Sequence, residues 1–205
     1  MLAREGAMDH ARNLAFHADY RAGTLDIDAF LRFQLEPLSR EPMERLLAWR
    51  ERYVAELVRP RLRPQGRALL RDHESRGHEI VLVTATNRFL VEPIARALGI
   101  PHLLCTRPET SDGRFTGRVD GVPCFREGKV AHLEEWLRTR GLRRSEVEGS
   151  WFYTDSRNDL PLLSAVDHPV AVDPDPGLRA RAEREGWPIL RWRQSDMPYS
   201  SPPIG

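Results

Sequence analysis

A chain of 205 residues with a formal net charge of +1 has room for one good-sized domain and offers no electrostatic case for a nucleic-acid or anionic-membrane partner. No apolar run approaches membrane-spanning length, and the opening residues MLAREGAMDH lack a signal-peptide hydrophobic region. The two cysteines, Cys105 and Cys124, have neither metal-site spacing nor the pattern of a disulfide framework, so a reduced, cytoplasmic protein is expected.

Residues 1–62 read as helix alone. One helix covers much of the stretch before Gly23. A second, capped by Thr24, carries Ile27, Phe30, Leu31 and Leu35 on its apolar side. A third follows Ser39, with Met43, Leu46, Leu47, Tyr53, Val54, Leu57 and Val58 largely on one stripe. Pro60 and Pro64 then punctuate the chain.

From Pro64 onward the pattern alternates. A helix from about Gln65 to Ser75 ends at Gly77, and EIVLVTA follows as a buried strand. VEPIARAL is helical, HLLCT is a short strand, and RPETSDGRFTGRVDGVPCF reads as a hairpin with turn signals at Asp112-Gly113 and Asp120-Gly121. Lys129 opens a helix running to about Arg140. SWFYT, HPVAV and WPILRW are strands, separated by the helices NDLPLLSAV and GLRARAERE. Such alternation predicts a parallel sheet with helices on both faces. The tail SDMPYSSPPIG has the composition of a disordered linker.

Ligands of open parallel sheets bind beyond the carboxyl ends of the strands. After EIVLV stand Thr84, Thr86 and Asn87, beside a helix N-terminus whose N–H groups favour phosphate. After WFYT stand Asp155, Asn158 and Asp159, hard oxygen donors of the kind Mg²⁺ takes together with phosphate oxygens and water. Between them lies Lys129, the single lysine among 31 basic residues. Its compact ammonium group is what arginine's planar fork cannot copy. Taken singly, Thr84 and Asp155 read as well as helix caps; the ordered set is what points to a site.

That set resembles the haloacid dehalogenase (HAD) superfamily of phosphohydrolases, in its phosphoserine-phosphatase-like branch (subfamily IB). VLVTATN is similar to that superfamily's second motif, FREGKV to its third and YTDSRNDLPLL to its fourth. The resemblance implies an α/β fold, a three-layer Rossmann-like parallel-sheet core with a helical cap. The cap would be residues 1–62, incomplete at its start, the core 63–193, and the disordered tail 194–205. It implies a Mg²⁺-dependent phosphomonoester hydrolase acting on a small phosphorylated metabolite. Thr84, Thr86, Asn87, Lys129 and Asn158 would bind the phosphate or substrate, Thr84 and Lys129 would serve catalysis, and Asp155 and Asp159 would hold the metal. Arg126 and Arg157, beside the motifs, could meet a substrate carboxylate, but in an arginine-rich chain they read first as ordinary solvated arginines, and Cys124 reads as structural.

One part of the family pattern does not match. Family enzymes use an aspartate nucleophile in a D-x-D motif behind the first strand. Here Asp26 and Asp28 sit at the start of an amphipathic helix, and Asp173 and Asp175 follow a late strand between prolines. Neither pair fits, so the first core strand and its nucleophile are expected to lie outside this chain. The alternative is a non-catalytic relative that binds phosphate or a phospholigand without turnover.

Overall fold

A computed structural model describes residues 9–192, which fall into two compact units dividing between Pro123 and Cys124. The tail expected from residue 194 lies outside the described residues.

The first unit begins with three helices. Helix α1 (His10–Ala22) is capped by Asp9, whose Oδ1 accepts the Arg12 N–H at 3.1 Å. Its Phe16 packs edge-on against Phe30 and tilted against Phe33, with centroids 5.4 and 5.3 Å away, which joins α1 to α2 (Ile27–Ser39). The cap of α2 is Asp26 rather than Thr24. Its carboxylate accepts the Ala29 N–H, while the Thr24 hydroxyl donates back to the Asp19 carbonyl. Helix α3 (Met43–Tyr53) buries Leu46 and Trp49, three residues apart on one face. Leu47, expected on that stripe, is turned about 100° around the axis from Leu46 and is 36% exposed. A π-helical turn (Val54–Val58) and a 3₁₀ turn (Arg59–Arg61) lead out of α3, because Pro60 has no N–H to continue the ladder.

Pro64 takes the first position of α4 (Pro64–Ser75), where a missing N–H costs nothing. Strand β1 (Val81–Asn87) starts two residues later than the expected EIVLVTA and runs two residues further. Only its last residue is buried, the others being half-buried. Among the described residues it is an edge strand, paired on one side alone with β2 (His102–Ser111). Helix α5 (Arg88–Ala97) makes the parallel crossover between them. Strand β3 (Arg114–Asp120) returns antiparallel to β2. Ser111 pairs with Arg114 across a two-residue turn, Asp112-Gly113, with φ of 51° and 73°. Two positive φ angles define the type I′ turn that the Asp-Gly signal predicts. The expected HLLCT strand and the first arm of the hairpin are thus one continuous strand. One apolar cluster, Leu35, Leu38, Leu46, Trp49, Phe89 and Phe115, ties α2 and α3 to α5 and β3.

The second unit holds an all-parallel sheet of β4 (Trp151–Thr154), β5 (His168–Val172) and β6 (Ile189–Leu190). Helix α6 (Glu127–Arg138) precedes it in the chain. The helix expected over NDLPLLSAV is much shorter. A 3₁₀ turn at Arg157–Asp159 leads into α7 (Leu160–Leu163), and the chain then turns to feed β5. Pro161 cannot donate into an α-helical ladder, and the Ser156 hydroxyl takes the Asn158 N–H instead. Helix α8 (Pro176–Glu185) begins one residue before the expected GLRARAERE, with Pro176 in its first turn. Leu163, Ala171, Leu178 and Ala182 are fully buried where α7, β5 and α8 meet.

Candidate functional site

The residues singled out from the sequence form two clusters, one in each unit. The first stands at the carboxyl end of β1. There the pairing with β2 slips: Thr84 faces Cys105 and Asn87 faces Thr106, so Ala85 and Thr86 form a bulge. The Thr84 hydroxyl accepts the Thr86 N–H at 3.1 Å, which braces the bulge. Asn87 is the N-cap of α5, with its Oδ1 accepting the Leu90 N–H at 3.1 Å. Thr84, Thr86 and Asn87 are therefore brought together, with Asn87 employed as a cap and 5% exposed. Cys105, opposite Thr84, is a buried thiol pushed up to about 11 by burial, which keeps it protonated and unreactive.

The second cluster is built by the start of α6 and the turn after β4. Lys129, in the first turn of α6, places Nζ 2.5 Å from Asp159 Oδ1, and both side chains are 7% exposed. The other oxygen of Asp159 accepts the Thr154 hydroxyl at 2.6 Å. The Thr154 oxygen in turn accepts the Ser156 N–H at 3.3 Å. The ammonium also lies 5.8 Å from the Phe152 ring centroid. One residue before Asp159, Asn158 is 3% exposed and its Oδ1 accepts both Nε and Nη2 of Arg126, each at 3.2 Å. Asp155 is exposed at the end of β4, and its carbonyl accepts the Asp175 N–H at 2.8 Å.

A divalent ion fits this arrangement in a limited way. Mg²⁺ is commonly held by one or two carboxylates together with water and phosphate oxygens. Asp155 offers an exposed carboxylate, while each oxygen of Asp159 already accepts one bond and keeps a further lone pair. No group of three His, Cys, Asp or Glu able to hold a metal occurs among the described residues. The donor set therefore suits an ion that takes most of its ligands from substrate and water.

Both D-x-D strings are used structurally. Asp26 caps α2. Asp175 caps α8 through Leu178 N–H and accepts Arg157 N–H on its other oxygen, and Asp173 accepts the Trp192 N–H. Three residues of the second cluster escaped the sequence reading. Thr154 is the last residue of a strand and Ser156 a turn residue, and neither carries a distinctive signal. Arg126, taken as an ordinary solvated side chain, is half-buried on Asn158.

The profile of the haloacid dehalogenase-like hydrolases matches residues 2–164. A histidinol-phosphatase of Neisseria meningitidis serogroup C is 41% identical over 197 residues, covering 94% of this chain and 89% of that one. A phosphoserine phosphatase of Mycobacterium tuberculosis is 33% identical over 168 residues, 82% of this chain, which spans about half (54%) of that protein's length. Among solved structures, a Bordetella pertussis protein of unknown function superposes with a TM-score of 0.85 at 42% identity, covering 92% of this chain and 87% of that one. A substrate-bound phosphoserine phosphatase shares the fold with a TM-score of 0.67 at 19% identity, over 92% of this chain and 83% of that one. With the α/β architecture and the motif-bearing strand ends, these likenesses show that the chain belongs to the haloacid dehalogenase-like hydrolase family.

Proposed function

We propose that the protein is a Mg²⁺-dependent phosphomonoester hydrolase acting on a small amino-alcohol or amino-acid phosphate. The observation that carries this reading is the buried Lys129–Asp159–Thr154 chain beside the exposed Asp155. A buried ammonium held by one carboxylate is a fixed positive charge, suited to stabilising a phosphoryl group as negative charge develops on it. The histidinol-phosphatase and phosphoserine phosphatase names of the relatives support the substrate class.

In this reading Asp155 and Asp159 hold Mg²⁺, Asp155 as the exposed member, and the ion offsets phosphate charge when bound. Lys129 neutralises the phosphoryl oxygens and Asn158 donates its amide N–H, while the hydroxyls of Thr84 and Thr86 are phosphate-binding groups of the first unit. Asn87 fixes the start of α5, whose N–H groups face the anion. Residues 1–62 serve as the cap that selects the substrate and 63–193 as the core. The covalent step needs a carboxylate nucleophile. Among the described residues Asp26, Asp173 and Asp175 are engaged as caps and turns, and none of them is proposed for it.

The test is phosphate release by the protein expressed from its native gene, with histidinol phosphate, phosphoserine and an unrelated sugar phosphate as substrates. Mg²⁺-dependent hydrolysis of an amino-alcohol or amino-acid ester, abolished in Lys129→Ala and Asp155→Asn, is the expected result. Near-wild-type kcat in either variant overturns the role given to that residue. The same D-x-D observation favours a second reading, a phosphate-binding relative without turnover; saturable stabilisation by inorganic phosphate with no hydrolysis of any ester would establish it.

A further inference from the structure

Arg126 occupies a backbone conformation that an L-residue rarely adopts. Its φ and ψ are 48° and −119°, and Gly128 N–H closes the turn onto the Phe125 carbonyl at 2.8 Å. These are the angles of the first central residue of a type II′ turn, where glycine is the ordinary occupant because a Cβ is sterically costly there. A strained residue persists only where the surrounding structure holds it. Here the guanidinium directs Nε and Nη2 onto one atom, Asn158 Oδ1, at 3.2 Å each, and lies 5.0 Å from the Phe125 ring centroid.

Arginine has no acceptor, so this contact decides which way round the Asn158 amide stands. Its oxygen faces Arg126 and its NH₂ end faces away. The link also runs parallel to the Lys129–Asp159 pair, with residues three apart on one element bound to adjacent residues on the other.

We infer that Arg126 is a positioning residue: it fixes the Asn158 amide with its donor end presented to the phosphoryl oxygens, and this is why a non-glycine residue is kept at a glycine position. The identity of the ligand rests on the phosphatase reading; the orientation of Asn158 does not.

Arg126→Gly separates the two roles, since glycine relieves the backbone while removing the fork. The variant is expected to stay folded, relief of the turn offsetting part of the lost Asn158 bonds, and yet to bind inorganic phosphate about tenfold more weakly. Asn158→Ala should weaken binding by a similar factor, and the double variant should be no weaker than Asn158→Ala alone, because both changes remove one interaction. Multiplying losses in the double variant, or wild-type affinity in Arg126→Gly, would overturn the inference. If wild type binds no phosphate, the phosphatase reading fails instead. The positioning claim is then decided by the Asn158 side-chain amide resonances, assigned by their loss in Asn158→Ala. Restricted side-chain 15N relaxation in wild type that becomes mobile in Arg126→Gly sustains it; unchanged relaxation refutes it.

Discussion

A buried ammonium group is stable only where its charge is answered, and Lys129 is answered by Asp159 at 2.5 Å with both side chains 7% exposed. Removing one partner strands the other. Lys129→Ala is therefore expected to destabilise the protein by about 3–5 kcal/mol, measured by denaturant unfolding, besides removing activity. Asp155 makes the opposite case at the same site. It is exposed, and Asp155→Asn keeps the backbone carbonyl that holds Asp175, so the loss of stability should be smaller than in Lys129→Ala, while on the proposed function Mg²⁺-dependent turnover is lost. The contrast reveals whether a loss of activity reports chemistry or folding. Both residues were legible in the sequence, Lys129 as the single lysine and Asp155 as the acid closing an apolar strand. Thr154 and Arg126 were not, because nothing local marks a strand threonine or a turn arginine as a partner of a residue 5 or 32 positions away.

At the scale of elements, two local devices shape the first unit. The β2–β3 turn depends on Gly113 at φ 73°, where an added Cβ would meet no neighbour within 4 Å. Gly113→Ala should thus cost about 1 kcal/mol from backbone strain alone, read as a lowered unfolding midpoint with an unchanged m-value. The end of α4 is a Schellman turn in which His78 N–H bonds the His73 carbonyl and Gly77 N–H the Glu74 carbonyl. It brings the two imidazoles to 2.8 Å between their Nδ1 atoms. Burial, then the neighbouring His78 and Arg76 against an opposing Asp72, holds His73 below the ordinary histidine range. The folded state therefore resists a proton that the unfolded chain accepts. The His73 contribution to stability is present above the unfolded value near 6.5 and is lost as pH falls below it. Hydrogen exchange at His78 N–H should accelerate, relative to its intrinsic rate, between pH 7 and pH 5, and that pH dependence should be much weaker in His73→Leu.

For the molecule as a whole, each unit holds one sheet and one of the two clusters of candidate residues. One sheet is mixed because the β2–β3 hairpin turns its last strand antiparallel, and the other is wholly parallel. The buried clusters differ in character accordingly. The first is aromatic and joins helices to a hairpin; the second is small and aliphatic, where α7 and α8 meet β5. No helix among the described residues is long and apolar enough to cross a membrane. On the proposed function, removing Mg²⁺ with a chelator should abolish hydrolysis and added Mg²⁺ should restore it, with the circular-dichroism spectrum unchanged throughout. Loss of secondary structure on chelation would instead make the ion a structural one.

The sequence by itself determined the class of fold and the order of the chemistry along it. Hydrophobic periodicity, Asp-Gly and proline punctuation act over a few residues, so α3, α4, the I′ hairpin and β5 stand close to where the pattern puts them. Choices among equally good local partners were settled only in three dimensions. Asp26 rather than Thr24 caps α2, Asn87 is drawn into capping α5, and NDLPLLSAV yields a single turn of α-helix. Tertiary structure alone decided that Asp159 answers Lys129 and that Arg126 holds Asn158, because hydrogen bonds and charges act through space at about 3 Å. A linear pattern can present such groups, but only the folded backbone brings them within reach.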